Sequence, residues 1–381
     1  MNEFSLNWYE LNENNYVNLK ENLLIELIDK SIVKAGNIFR LSKQLNLSDP
    51  TFYYVKKGKI KQISIRKLKK LMNYLELEYE YINDKIIEIR KGNIASIKNP
   101  KFPFKLDTND GAFLIGCLVS DGTLYQERKN IQRIKYSSND EESINTFINK
   151  IQNIFGEVYF QKECKRGNTY LKIGNSIIPQ AFIKVGIKIG NKTKLNSNLP
   201  RVIFRDKELT INYLKAAFSD EGSVGGGNGK GYNPYLILNR SCWIDNLLNL
   251  NMKKHIEKKL VPLMKIKQFP TGHKNQFINF KKAKEILGNE FWINIEQNGL
   301  PKFLQDESLL LSKLNIKNRL WIRGISKTQN GHYSLACDLF ISNKQGLLKF
   351  YKEVGFSLSR KQDKLKKALE EVGWLDKFNV V

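Results

Sequence analysis

A twelve-residue pattern that returns one hundred positions later constrains this 381-residue chain more than any other feature. The first copy runs Phe113-Leu114-Ile115-Gly116-Cys117-Leu118-Val119-Ser120-Asp121-Gly122-Thr123-Leu124. The second runs Tyr213-Leu214-Lys215-Ala216-Ala217-Phe218-Ser219-Asp220-Glu221-Gly222-Ser223-Val224. Each reads as an aromatic residue, an apolar helix with small residues in it, an acid and a glycine. A hydroxyl residue and an aliphatic then begin a strand. Internal self-similarity fixes architecture before any single motif does, so the chain is expected to fold as two related halves.

Within each copy the residues are physically consistent. Gly116 and Ser120 in the first helix, and Ala216 in the second, put small side chains on the facing surfaces, which lets two helices approach closely. Gly122 and Gly222 are expected to end the helices in the φ > 0 conformation that glycine tolerates. Asp121 and Glu221 are then fixed at helix C-termini, where the helix dipole opposes a negative charge. Two carboxylates brought together repel each other further. Stability alone disfavours that arrangement in both copies, and bound Mg²⁺, which prefers carboxylate and water oxygens, would relieve it. Metal held in this way can activate water and stabilise a leaving oxygen in phosphodiester hydrolysis.

The remaining composition agrees with a nucleic-acid partner. Lys and Arg total 63 against 38 acids, a net charge of +25, which draws polyanions. No apolar run is long enough to span a bilayer. The start, Met1 to Asn7, lacks the basic-then-apolar pattern of a secretion signal, so an intracellular, cytoplasmic protein is expected. Cys117, Cys164, Cys242 and Cys337 are widely spaced, and His255, His273 and His332 form no ligand pair, which argues against zinc and against a disulfide framework. His332 reads as a solvated loop residue.

Residues 1–90 read as a separate, small all-α domain. Leu23, Leu24, Leu27, Ile28 and Ile32 repeat at helical spacing up to Gly36, and a second helix follows from Asn37 to about Leu45. After a turn at Asn46-Leu47, Ser48 caps a third helix with Pro50 in its first turn, and Gly58 stops it. Ser64 caps a fourth helix with Ile65, Leu68, Leu71, Met72 and Leu75 facing inward. The turn-linked pair resembles a helix-turn-helix of the phage-repressor type. That resemblance puts Phe52 and Val55 inside, and Thr51, Tyr53, Lys56 and Lys57 outward as DNA contacts.

Gly92, Pro100 and Pro103 mark a linker at 91–109. Beyond it the patterning predicts strands at Ile131–Ser137, Val158–Glu163, Thr169–Ile173, Tyr235–Asn239, Arg319–Ile325 and Tyr333–Ile341. Helices are predicted at Ser143–Phe155, Ser308–Leu314, Gln345–Val354 and Gln362–Val372, the first opening on Asn139 and Glu142 as a capping box.

The two repeated segments resemble the motifs of the LAGLIDADG homing endonucleases, over about residues 110–375. Three further stretches carry the resemblance: Ile134 to Glu141, Gly190-Asn191-Lys192-Thr193 with Leu199-Pro200, and Leu347 to Phe356 with Arg360-Lys361. It implies an α+β fold of two pseudo-symmetric αββαββα-type halves, 110–205 and 206–381, forming a DNA-binding saddle behind the helix-turn-helix domain. It implies a monomer that cuts double-stranded DNA, with Asp121 and Glu221 as catalytic and metal-binding acids and Mg²⁺ as the metal. Strand position relative to each motif makes Lys135 and Arg240 candidates for stabilising transition-state charge, with Lys192 a third. Asp220 stands where the family carries a small residue, and 244–306 reads as an insertion whose Lys253, Lys254, Lys258 and Lys259 can touch DNA. Two alternatives stay open on the same scaffold: a DNA-binding regulator that no longer cuts, and an RNA maturase that helps an intron fold.

Overall fold

Alternating strands and 3.6-period helices build an α+β chain whose elements group into two compact units. These are Met1–Leu114 with Leu124–Ile187, and Ile115–Thr123 with Lys188–Val381. The computed structural model describes residues 3–20, 22–47, 49–92, 95–128, 131–165, 167–226, 233–257, 285 and 287–375.

In the first unit, strands β1 (Ser5–Leu6), β2 (Asn15–Leu19), β3 (Gln62–Ser64), β4 (Ile86–Lys91), β5 (Ile97–Lys98) and β6 (Phe104–Lys105) interleave with helices α1 (Leu23–Ala35), α2 (Ile38–Leu45), α3 (Asp49–Lys56) and α4 (Ile65–Tyr74). The helix ends follow the sequence. Gly36 closes α1 at φ +88°, Asn37 caps α2 by accepting from the Arg40 amide, and Ser64 caps α4 by accepting from the Lys67 amide. Ser48, expected to cap α3, lies outside the described residues. Phe52 and Val55 are buried as expected, against a core that includes Leu41, Leu68 and Leu71.

This region is not all-α. Strand β2 pairs with both β3 and β4, because Val17 and Leu19 alternate inward along it. Nor is 91–109 a loose linker. Strand β5 pairs with β4 on one side and with β9 (Glu157–Val158) on the other, while β6 pairs with β1. The order β3-β2-β4-β5-β9 thus joins the N-terminal region to the segment that follows the first motif. Its glycine and prolines punctuate strands, and Ile97, Phe104 and Leu106 are buried between them.

The same unit holds a four-stranded sheet in the order β10-β11-β8-β7, made of β7 (Thr123–Arg128), β8 (Ile131–Ser138), β10 (Phe160–Lys165) and β11 (Asn168–Ile173). The strand expected at Val158–Glu163 is therefore split at Tyr159, with each part serving a different sheet. Helix α6 (Glu141–Phe155) packs on this second sheet. Tyr136 of β8 stacks on Phe147 at 4.4 Å with planes 10° apart. Its cap is Asp140, accepting from the Glu142 amide, one residue beyond the predicted Asn139.

In the second unit, β12 (Gly222–Gly225), β13 (Tyr235–Trp243), β14 (Arg319–Lys327) and β15 (Tyr333–Ile341) form an antiparallel sheet ordered β12-β13-β15-β14. This is the topology of the β7, β8, β10, β11 sheet, repeated as the motif repeat requires. Leu236, Leu238, Arg240 and Cys242 fill the inner face of β13, opposite Leu335, Cys337, Leu339 and Ile341 of β15. The strand expected to stop at Asn239 runs on to Trp243, so Arg240 stands inside a strand and not beyond it. The helix expected at Ser308–Leu314 begins six residues earlier, at Lys302, inside the supposed insertion. Lys253 and Lys254 lie on a helix at Leu250–Glu257, whereas Lys258 and Lys259 lie outside the described residues. His332 is stacked flat on Trp243, 3.6 Å between ring centres, and its Nδ1 lies 3.5 Å from Asp245. The four cysteines are free. Among the described residues no helix is long and apolar enough to cross a membrane.

Candidate active site

The two motif segments meet within the second unit. Helix α5 (Asn109–Val119) carries Gly116, and the second motif helix, Lys207–Glu221, carries Ala216. A Cβ on Gly116 would lie 2.7 Å from both the Ala216 methyl and the Tyr213 carbonyl. Only glycine permits this approach. Gly122 and Gly222 are needed for a different reason than expected. Neither adopts positive φ, and Gly222 is extended at φ −74°. A Cβ on Gly122 would meet the Cys117 carbonyl at 2.8 Å, and one on Gly222 the Phe218 carbonyl at 2.4 Å. Each strand leaves its helix so sharply that no side chain fits at the corner.

That sharp exit leaves Asp121 and Glu221 at the ends of adjoining helices. Asp121 is exposed, while the Glu221 side chain is 29% exposed. Although Asp121 keeps access to solvent, the protein packed around it displaces enough water to raise its pKa, and the negative charge of Glu221 raises it next, with Lys192, Lys361 and Arg240 acting against the rise. The two acids therefore feel each other as like charges, as the repeat predicts.

The cations around them are placed by contacts of long sequence separation. Lys192 Nζ donates to the main-chain carbonyls of Leu118, Val119, Ser120 and Gly122. Lys361 Nζ donates to those of Phe218, Ser219, Asp220 and Gly222. Each ammonium thus satisfies the orphan carbonyls at the C-terminus of one motif helix and offsets its negative dipole end. Burial lowers the Lys192 pKa to about 8, against the raising effect of Glu221, Asp121 and Asp220.

Arg240 is buried in the centre of this arrangement. Its Nε and Nη2 donate to the two carboxylate oxygens of Glu307, at 3.1 and 2.6 Å. Its Nη1 reaches Glu221, and Nη2 also donates to Ser120 Oγ at 3.2 Å. Glu307 is fully buried and accepts a further hydrogen bond from the Tyr213 hydroxyl at 2.8 Å. Burial acts to lower the pKa of Arg240, but the Glu221 and Glu307 carboxylates outweigh it and hold the guanidinium charged. Beside this cluster lies a cavity of about 210 Å³, bordered by Glu221, Lys192, Arg240, Arg323, Thr193 and Asn239.

Asp121, Glu221, Lys192 and Arg240 are thereby brought together. Lys135 belongs to the other unit, exposed on β8 with its ammonium 4.3 Å from the centre of the Tyr170 ring. The two candidates chosen by strand position thus differ in setting: Lys135 is exposed on β8 and Arg240 is buried on β13. In the N-terminal helices, Tyr53 is 49% exposed and Lys57 lies over its ring at 4.7 Å. Lys56 pairs with Asp29 at 2.7 Å, and Thr51 is half-buried and accepts from Lys67.

The sequence singles out no role for Glu307, and marks Lys361 only as part of a family-like stretch. Glu307 does carry a signal, an acid at the inward position of a helix between Leu304 and Leu311. Arg240 carries its complement, a base in the apolar register of β13.

Among the described residues no cluster of three or more His, Cys, Asp and Glu side chains suited to a metal forms. A two-carboxylate site fits Mg²⁺, which keeps several waters and takes only one or two protein carboxylates. The mutual repulsion of Asp121 and Glu221 is what a cation would relieve.

Fold and site together define a duplicated α+β protein with paired acids at two adjoining helix ends. No protein-family model matches the chain, and no curated protein does. Solved structures similar to it include I-DmoI in complex with DNA and Ca, at 14% identity over 65% of this chain and 90% of that one, TM-score 0.36. Variants of the homing endonuclease I-DmoI are similar at 13% identity over 66% and 97% of the two chains, TM-score 0.36. The N-terminal LAGLIDADG domain of DUF199/WhiA is similar at 14% identity over 70% and 90%, TM-score 0.34. A likeness of this size bears on neither activity nor residue roles.

Proposed function

We propose that the chain is a DNA-binding phosphodiesterase of the homing-endonuclease type, a monomer that uses Mg²⁺ to cut both strands of a specific duplex. The observation that carries this reading is the electrostatic coupling of Asp121 to Glu221 at the ends of helices packed through Gly116. Asp121, its pKa raised in part by the charge of Glu221, forms with that acid a like-charged pair beside Lys192, Lys361 and Arg240, which suits a divalent ion and a phosphate better than it suits stability. When bound, the metal supplies a water of lowered pKa and charge for the leaving oxygen. Asp121 and Glu221 hold it, while Lys192 and Arg323 offer positive charge to a phosphate at the adjacent cavity. Arg240 fixes Glu221. The net charge of +25 supports duplex binding, to which Thr51, Tyr53, Lys56 and Lys57 contribute from the N-terminal helices.

One observation favours a second reading, DNA binding without cleavage: Glu221 already has a buried cationic partner in Arg240. The two readings separate in one experiment. The purified chain is incubated with duplexes covering the DNA that flanks its own gene, with and without Mg²⁺. Cleavage that needs Mg²⁺ and is lost in Asp121→Asn, with binding retained, supports the nuclease. Binding with no nicking by the unaltered chain supports the regulator.

A further inference from the structure

Glu307 is fully buried in the helix Lys302–Lys313, and nothing proposed above uses it. Its two oxygens take Nε and Nη2 of Arg240, and the Tyr213 hydroxyl adds a third bond. Tyr213 opens the second motif, at the position where the first copy has Phe113, which has no hydroxyl. The network is therefore a property of the second copy and not of the repeat. A buried ion pair rarely stabilises a fold more than apolar residues of similar volume would. Stability does not account for an acid at this inward position.

Its effect on Glu221 does. A guanidinium beside a lone carboxylate prefers to take both oxygens in a paired fork. Arg240 reaches Glu221 through Nη1 only, at Oε2, because Nε and Nη2 are committed elsewhere. We propose that Glu307 is a positioning residue for Glu221: by engaging two donors of Arg240, it keeps the second Glu221 oxygen available to a divalent cation. Tyr213 holds Glu307 in the orientation this requires. The inference rests on reading Asp121 and Glu221 as the metal-holding pair.

The test uses the full chain without DNA and Mn²⁺ as the probe, free Mn²⁺ being read by electron paramagnetic resonance and the fold by thermal unfolding. Glu307→Gln keeps the shape and loses the charge that holds Arg240. It is expected to weaken Mn²⁺ binding by about 10- to 100-fold, the usual effect of losing a partner that orients a ligand. Adding Arg240→Met to it removes the freed guanidinium and is expected to restore binding. A purely structural defect would be unchanged or worse in that double variant. Equal Mn²⁺ affinity in Glu307→Gln and the unaltered chain overturns the role of Glu307, as does a double variant no better than the single one. Should Glu307→Gln not fold, Tyr213→Phe removes one hydroxyl and is expected to shift affinity the same way by a smaller factor; no shift overturns the proposal. If the unaltered chain binds no Mn²⁺, the metal-holding reading itself falls, and the role of Glu307 with it.

Discussion

Lys192 and Lys361 do the same work on two helices: each ammonium caps four carbonyls, and the two sets are one hundred positions apart, Leu118, Val119, Ser120 and Gly122 against Phe218, Ser219, Asp220 and Gly222. The duplication thus extends beyond the twelve-residue pattern to a lysine supplied from a different distance in each copy. A helix end with such a cation can carry an acid at lower cost.

Lys192→Met should leave several carbonyls of the first motif helix without a donor. The expected loss is about 1–3 kcal/mol, the range for unsatisfied buried polar groups. Urea denaturation of the full chain measures it, and an unchanged midpoint would show that water replaces the cap.

The lowered pKa of Lys192, about 8 against an ordinary 10.5, has a definite sign in stability. Between those values the unfolded chain binds the proton and the folded chain does not. The lysine's contribution to stability therefore rises as pH increases from about 8 to 10.5. Subtracting the pH dependence of Lys192→Met from that of the unaltered chain should reveal this rise. A flat difference would contradict it.

Gly116→Ala forces a methyl against Ala216 and the Tyr213 carbonyl, both 2.7 Å from its position. Overpacking of this kind typically costs about 1–3 kcal/mol. Ala216→Gly in the same chain relieves the side-chain half of the clash and should recover part of the loss in a denaturation series. Independent, additive effects would show that the two helices are not in contact there.

Lys56→Ala with Lys57→Ala should weaken duplex binding and reduce the slope of log affinity against log salt by up to ~2. Lys56 now pairs with half-buried Asp29 near the surface, a bond weak enough to exchange for phosphate. Fluorescence anisotropy at a series of salt concentrations measures the slope. No change would remove the N-terminal helices from the DNA interface.

Local and periodic features were legible in the residues. The helix start at Asn37, the cap Ser64, the strand Tyr333–Ile341 and the inward Phe52 and Val55 follow from short-range chemistry that tertiary packing left intact. Reading failed where an element's extent depended on its neighbours. β13 runs past Asn239 because β15 pairs with it up to Trp243, and Ile97–Lys98 form a strand because β4 and β9 lie on either side of them.

The duplicated acids, their place at helix ends and the small residues between the helices are written in the sequence, since each depends on spacing within a dozen residues. Which cations surround those acids is decided only by folding. Arg240 reaches Glu307 across 67 residues and Ser120 across 120, and Lys361 finds its carbonyls from about 140 away. Spacing along a chain says nothing about partners at such distances. Burial does, because a charge removed from water must find its opposite.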